Sequence, residues 1–159
     1  DGWQLSGIYS AQTGRPRNVT YATTTAVDFT GTPSQGARLD HISPAILPSG
    51  ERTFERYFNT EAFALPAVGT FGNMARYVIR DPGLNNWDIA LFKSFSIKER
   101  ARIQFRLETY NTFNHTQFND IDRAGRWNPT TGEQVDARFG QLIGARTARI
   151  IQMGLRFLF

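Results

Sequence analysis

The sequence predicts an all-β chain: an antiparallel segment of a transmembrane β-barrel, with four or five long strands and long extracellular loops. Three observations carry this expectation. Period-two alternation of apolar and polar residues recurs along the chain, while helical spacing is hard to find. One connection is only three residues long, whereas two others are very long. The chain also closes on an alternating strand that ends in Phe159.

The first strand is expected over residues 2–12, with Trp3, Leu5, Gly7, Tyr9 and Ala11 facing away from Gln4, Ser6, Ile8, Ser10 and Gln12. A weaker strand candidate runs from Val19 to Phe29 through Tyr21, Thr23, Thr25 and Val27. The next full strand is residues 87–97. Trp87, Ile89, Leu91, Phe95 and Ile97 share a face interrupted only by Lys93. Residues 101–113 follow, with Ala101, Ile103, Phe105, Leu107, Thr109, Asn111 and Phe113 on one side. The last strand is residues 147–159, where Ile151, Met153, Leu155, Phe157 and Phe159 alternate with smaller or polar residues.

Lys98, Glu99 and Arg100 form a charged connection suited to a hairpin. Pairing Ile97 with Ala101 sets Phe95 opposite Ile103 and Leu91 opposite Leu107, so both apolar faces coincide. A slip of one residue would invert one face, which makes the register well specified. The remaining connections, 13–86 and 114–146, are rich in Gly, Pro, Thr and Asn and are expected as long loops at the opposite end. Short turns at one end and long loops at the other are the habit of outer-membrane barrels.

Composition excludes several classes. No stretch approaches the 18 or more apolar residues of a transmembrane helix. Thirteen Phe, five Tyr and three Trp argue against a disordered tail. The absence of Cys removes disulfides, thiolate metal sites and cysteine nucleophiles. Net charge is +4, but the sixteen Arg and two Lys are spread along the chain, so no nucleic-acid partner is expected. The chain begins at Asp1 without Met or signal peptide and is expected to be processed or a fragment.

A membrane strand needs about nine to eleven residues and aromatic girdles at the interfaces. Residues 87–97, beginning on Trp87, meet that length. The soluble alternative is a β-sandwich binding module of the carbohydrate-binding type, whose strands are usually shorter. The stripe Ile151, Met153, Leu155, Phe157 and terminal Phe159 resembles the C-terminal assembly signal of outer-membrane proteins. It favours the membrane reading.

The run Asn85-Asn86-Trp87-Asp88-Ile89-Ala90-Leu91-Phe92-Lys93-Ser94-Phe95, followed by Arg102-Ile103-Gln104-Phe105-Arg106-Leu107-Glu108-Thr109-Tyr110-Asn111-Thr112-Phe113-Asn114-His115, resembles the last strands of Oar-like TonB-dependent receptors, the family with a carboxypeptidase-regulatory-like N-terminal domain. Gly2-Trp3-Gln4-Leu5-Ser6-Gly7-Ile8, Gly14-Arg15-Pro16, Tyr57-Phe58-Asn59-Thr60-Glu61-Ala62-Phe63 and Arg80-Asp81-Pro82-Gly83 are also similar to that family. So are Ser10, Gly72-Asn73 and Phe139-Gly140. The resemblance spans the chain but only the C-terminal end of a receptor. It implies a barrel of about twenty-two strands, filled by a plug. It also implies uptake energised through the TonB complex, which would act through an N-terminal region not seen here. Partners implied are outer-membrane lipid, the rest of the barrel with its plug, and the barrel-assembly machinery. The implied location is the bacterial outer membrane.

Residues expected to face the lumen are Arg102, Gln104, Arg106, Glu108, Gln152 and Arg156. No catalytic site, cofactor or metal is expected, and the chain is not read as an enzyme. His41 and His115 lie in or beside loop sequence, without the spacing of a triad or an H-E-x-x-H site. Asp120-Ile121-Asp122-Arg123-Ala124-Gly125 opens like a calcium loop, but Ala124 and Thr131 stand where oxygen ligands are needed. The sequence names no transported substrate.

Overall fold

The computed structural model describes residues 2–32, 35–97 and 101–159. The expected turn Lys98-Glu99-Arg100 lies outside the described residues. In chain order the strands are β1 (Trp3–Gln12), β2 (Pro16–Arg17), β3 (Thr20–Thr23), β4 (Asp40–His41), β5 (Phe63–Ala64), β6 (Ile79–Arg80), β7 (Leu84–Ile97), β8 (Ala101–Tyr110), β9 (Phe118–Ile121), β10 (Ala124–Trp127), β11 (Leu142–Ala145) and β12 (Ile150–Leu158). Two single-turn 3-10 helices, Ser49–Glu51 and Thr60–Ala62, are the only helical segments among the described residues.

The chain divides into two compact units. The first comprises Asp1–Thr13, Gly83–Phe118 and Ala145–Phe159. Its framework is one antiparallel sheet in the order β1-β7-β8-β12. Ile97 opposes Ala101, Phe95 opposes Ile103 and Leu91 opposes Leu107, which is the register that face matching requires. On the flanks, Leu5 opposes Leu91 and Met153 opposes Leu107. Strand ends Gln12 and Leu84 pair at one end of the sheet, as do Tyr110 and Ile150. Both long connections therefore leave and return at that end.

Strand limits differ from the sequence expectation where side chains interrupt the ladder. The strand expected over 101–113 stops at Tyr110, because Asn111 and Asn114 adopt left-handed conformations with φ of 51° and 53°. Asn tolerates that region better than most residues. The Asn111 side chain donates to the His115 carbonyl at 3.0 Å and accepts the His115 N–H at 3.1 Å, closing a turn. The strand expected over 147–159 is shortened at both ends, and Phe159 lies beyond β12. β7 is longer than expected and starts at Leu84.

The second unit comprises Gly14–Pro82 and Asn119–Gly144, the greater part of both expected loops. These segments are not plain loops. Short strands pair as β2 with β6, β4 with β5, β3 with β10 and β9 with β11. The weak strand expected from Val19 to Phe29 shrinks to β3, which runs parallel to β10. Every buried apolar residue found among the described residues belongs to this unit, including Val19, Phe29, Leu39, Phe58, Ile79, Ile121 and Trp127. Its centre is aromatic: Phe139 meets Phe58 and Trp127 edge-on, with centroids 5.2 and 5.3 Å apart. Such edge-to-face pairs add about 0.5–1.5 kcal/mol each beyond area burial.

Arg17 Nε donates to Asp81 Oδ2 at 2.6 Å within this unit. That bond, and then the Asp81 charge, raises the Arg17 pKa above its usual value. Gly14 packs so close to the Asp81 carbonyl that a Cβ there would collide with it. The Asp81 backbone N–H also donates to the Arg15 carbonyl at 2.9 Å, completing a tight junction.

Candidate functional site

Residues opposed across a sheet share a face, so the registers define both faces of the first unit. One face carries Trp3, Leu5 and Tyr9 of β1, Trp87, Ile89, Leu91 and Phe95 of β7, Ile103, Phe105 and Leu107 of β8, and Ile151, Met153, Leu155 and Phe157 of β12. Leu5 is 72% exposed, Met153 71% and Phe157 61%. Ten large apolar side chains of this face, counting Ile97, are exposed. Full burial of such a side chain stabilises by about 1.5–3 kcal/mol. Leaving ten of them half in water forgoes on the order of 10 kcal/mol, as much as the whole stability of an ordinary domain. A sheet with this face does not suit water.

Lys93 lies on the same face, opposed to Trp3 and Phe105. Its ammonium stands 4.8 Å from the Trp3 ring centroid and 5.4 Å from that of Phe95. A cation over aromatic faces keeps part of its solvation while the stem lies along apolar surface. Tyr9 and Trp87 stack on this face at the loop end, with centroids 4.6 Å apart. Aromatic residues thus mark both ends of the apolar band.

The other face carries the charged and amide side chains, with Ile8, Phe92, Tyr110, Ile150 and Leu158 among them. Gln104 opposes Ser94 and Arg156, Arg106 opposes Phe92 and Gly154, and Glu108 opposes Ala90 and Gln152. Five of the six residues singled out from the sequence, Gln104, Arg106, Glu108, Gln152 and Arg156, come together around a hollow of about 250 Å3. Arg102 lies off that group, in a neighbouring hollow of about 510 Å3 bordered by Gln4, Phe92 and Ser96. Arg106 is ion-paired with Glu108 on its own strand. Its guanidinium also stands 5.3 Å from the Phe92 centroid.

Sequence reasoning missed Phe92 and Gly154. The register is the signal that finds them, since both directly oppose Arg106. A Cβ at Gly154 would come no closer than 4.0 Å to the Arg106 Cβ, and the guanidinium lies over Phe92. The arrangement offers charge and hydrogen bonds to a solute or a neighbouring chain.

Polar side chains close the loop end of the sheet. Asp88 accepts the Asn111 backbone N–H at 2.9 Å. Gln117 accepts the Asn85 N–H at 3.2 Å through Oε1 and donates through Nε2 to the Asn85 carbonyl. Asn111 and Gln117 are both buried, and these bonds spare them the penalty of an unpaired buried polar group.

An apolar sheet face bare of covering, long strands and returning loops together describe a membrane wall. A family model described as "Outer membrane beta barrel domain" matches residues 1–152. The chain belongs to that family. No curated protein and no solved structure matches it. This outer-membrane barrel chain is all-β, resides in the bacterial outer membrane and associates with its lipid. The soluble sandwich alternative is thereby set aside. The four strands do not close a barrel by themselves.

The remaining sequence candidates are accounted for locally. The His41 N–H donates to Asn73 Oδ1 at 2.7 Å, and its ring stacks on Phe63 at 5.7 Å. His115 stacks on Phe113 at 6.0 Å beside the Asn111 turn. In the calcium-like stretch, Asp120 Oδ1 accepts the Ile121 N–H and Asp122 Oδ1 accepts the Ala124 N–H. Among the described residues no three acidic or His side chains converge as a metal cluster.

Proposed function

We propose that this outer-membrane barrel domain is part of the wall and extracellular loops of an Oar-like TonB-dependent receptor that takes up substrate at the expense of inner-membrane energy. The apolar face meets lipid. The polar face, with Arg102, Gln104, Arg106, Glu108, Gln152 and Arg156, looks into the lumen and contacts the plug or lines the path of the substrate. The role is one of binding and passage, without catalysis.

The observation that carries this reading is the pairing of a bare apolar face with an Arg-, Gln- and Glu-bearing face on the same four strands. Ten-residue strands rise about 33 Å, and tilted by about 45° they cross about 23 Å, close to the roughly 25 Å apolar band of outer-membrane barrels. Closure needs further strands, because an open edge in lipid leaves backbone groups without partners. β1 and β12 are the edges at which those strands would join.

In this reading Ile151, Met153, Leu155 and Phe157 form the lipid-side stripe of an assembly strand, and Phe159 reaches past the strand end for recognition by the barrel-assembly machinery. Photo-crosslinkers placed in the whole receptor test the wall assignment. One at Gln104 should capture the receptor's own plug, and one at Leu107 should capture lipid. Uptake should stop when TonB is removed, with receptor abundance unchanged. Capture of lipid at Gln104, or uptake that persists without TonB, would overturn the reading.

A further inference from the structure

The second unit holds a cavity of about 400 Å3, a size at the small end of sites that bind small molecules. Its floor is apolar: Val19, Leu39 and Met74 are buried beneath it. Tyr21, Arg38 and Arg76 stand around it. No Asp or Glu belongs to its lining, and neither Arg38 nor Arg76 pairs with a carboxylate among the described residues. Both Arg are exposed at its rim, where Arg38 Nη1 donates to the Met74 carbonyl at 3.5 Å and Arg76 stands 5.4 Å from the Tyr77 ring centroid; their remaining donors give the hollow a positive potential.

The walls are held before any ligand arrives. The Arg38 N–H donates to the Phe71 carbonyl at 2.8 Å, and the Met74 N–H to the Leu39 carbonyl at 3.1 Å. One residue further on, the Asn73 N–H donates to Asp40 Oδ1 at 2.9 Å. Gly72, at φ 72°, lies against the Arg38 carbonyl, a place no side chain could occupy. The third wall is tied in by the Val78 N–H, which donates to the Arg17 carbonyl at 3.1 Å. Tyr21 is fixed between Phe29 and Trp127, with centroids 6.4 and 6.3 Å away. Burial raises its pKa above the usual value.

We infer that this cavity binds a small organic anion, a carboxylate or phosphate carried on an apolar ring-sized body. The apolar part would rest on Val19, Leu39 and Met74, and the anionic part would take charge-assisted hydrogen bonds from Arg38 and Arg76. The inference goes beyond the transport reading and stands or falls separately from it, since binding needs neither TonB nor a lumen.

The test is titration of the full chain in detergent micelles with benzoate, phenyl phosphate, benzyl alcohol and inorganic phosphate, followed by calorimetry or saturation-transfer NMR. Benzoate or phenyl phosphate should bind at least about tenfold tighter than benzyl alcohol or free phosphate, with affinity falling as salt is raised. Whichever of the two anions is preferred assigns the natural ligand to carboxylates or phosphate esters. Arg38→Gln and Arg76→Gln should each weaken that anion about three- to tenfold and leave benzyl alcohol unchanged. Arg38→Lys and Arg76→Lys should restore part of the loss, and circular dichroism should match the parent protein. Equal affinity for benzoate and benzyl alcohol, binding by none of the probes, or anion binding indifferent to both Gln variants would overturn the inference.

Discussion

The Asp88 carboxylate on β7 accepts the backbone N–H of Asn111, the residue that follows β8, at 2.9 Å. The same oxygen accepts Asn86 Nδ2 at 2.9 Å. This contact sets where β8 ends, because it satisfies an N–H that has left the ladder. Replacing Asp88 by Ala should cost about 1–3 kcal/mol, the penalty of an unpaired buried donor. Hydrogen exchange at the Asn111 amide reports it: protection should fall there and persist at Leu107. Unchanged protection at Asn111 would show that the contact does not hold the turn.

Leu107 lies on the apolar face between Leu91 and Met153, near the middle of the sheet. Leu107→Arg should destabilise the protein in lipid vesicles by about 2–4 kcal/mol, the cost of Arg near the bilayer midplane. Gln104→Arg, on the opposite face, should cost far less. Folding titrations in vesicles compare the two directly. Equal costs would contradict the face assignment.

Asp81 is 6% exposed and its Oδ2 is held by Arg17, itself about one-third exposed. Removing Arg17 leaves a buried carboxylate without its cation. Losing one partner of a fully buried pair costs about 3–5 kcal/mol. Solvent access to Arg17 reduces that, so Arg17→Ala should cost roughly 2 kcal/mol. The double variant Arg17→Ala with Asp81→Asn should recover part of the loss. Limited proteolysis within residues 14–82 measures both.

The Tyr21 phenol has its pKa raised above 10.0 by burial. The unfolded chain therefore releases this proton first as pH rises. The stability contribution is complete below pH 10 and is lost as pH climbs through the folded-state value. Tyr21→Phe should flatten the loss of stability of the second unit above pH 10. An identical alkaline profile in both proteins would remove Tyr21 as its source.

The register of β7 and β8 was legible because two long alternating strands allow only one alignment in which both apolar faces coincide. The place of β1 beside β7 was not legible in this way. The ends were less legible. Asn111 and Asn114 continue the alternation in sequence but take left-handed backbone in the fold, which periodicity does not register. The core of the second unit was hidden for a different reason. Strands of two to four residues carry too few positions to show a period, so Trp127 reads as a loop residue, and Leu39 and Phe58 are buried from irregular backbone outside any strand. Of the weak strand candidate from Val19 to Phe29, Val19 and Phe29 are buried but Val27 is exposed, and β3 spans only Thr20–Thr23. Of the polar face, every charged member was legible from alternation, while Phe92 and Gly154 needed the cross-strand register.

Phe159 follows the end of β12 and is fully exposed. Deleting it from the full protein, or changing it to Asp, should lower the amount inserted in the outer membrane. In the uptake role proposed above, substrate affinity of inserted molecules should stay the same. Normal insertion with weakened binding would place Phe159 in a functional site instead of an assembly signal.

The central claim is that β8 stands in a membrane with one face to lipid and one to water. Single Cys substitutions from Arg102 to Glu108, in the full protein in the outer membrane, measure this most directly. Each is labelled in turn with a water-soluble maleimide and with a lipid-soluble one. Positions 102, 104, 106 and 108 should react with the aqueous reagent, and positions 103, 105 and 107 with the lipid-soluble reagent alone. Aqueous labelling of all seven positions, or labelling without a two-residue period, would contradict the account.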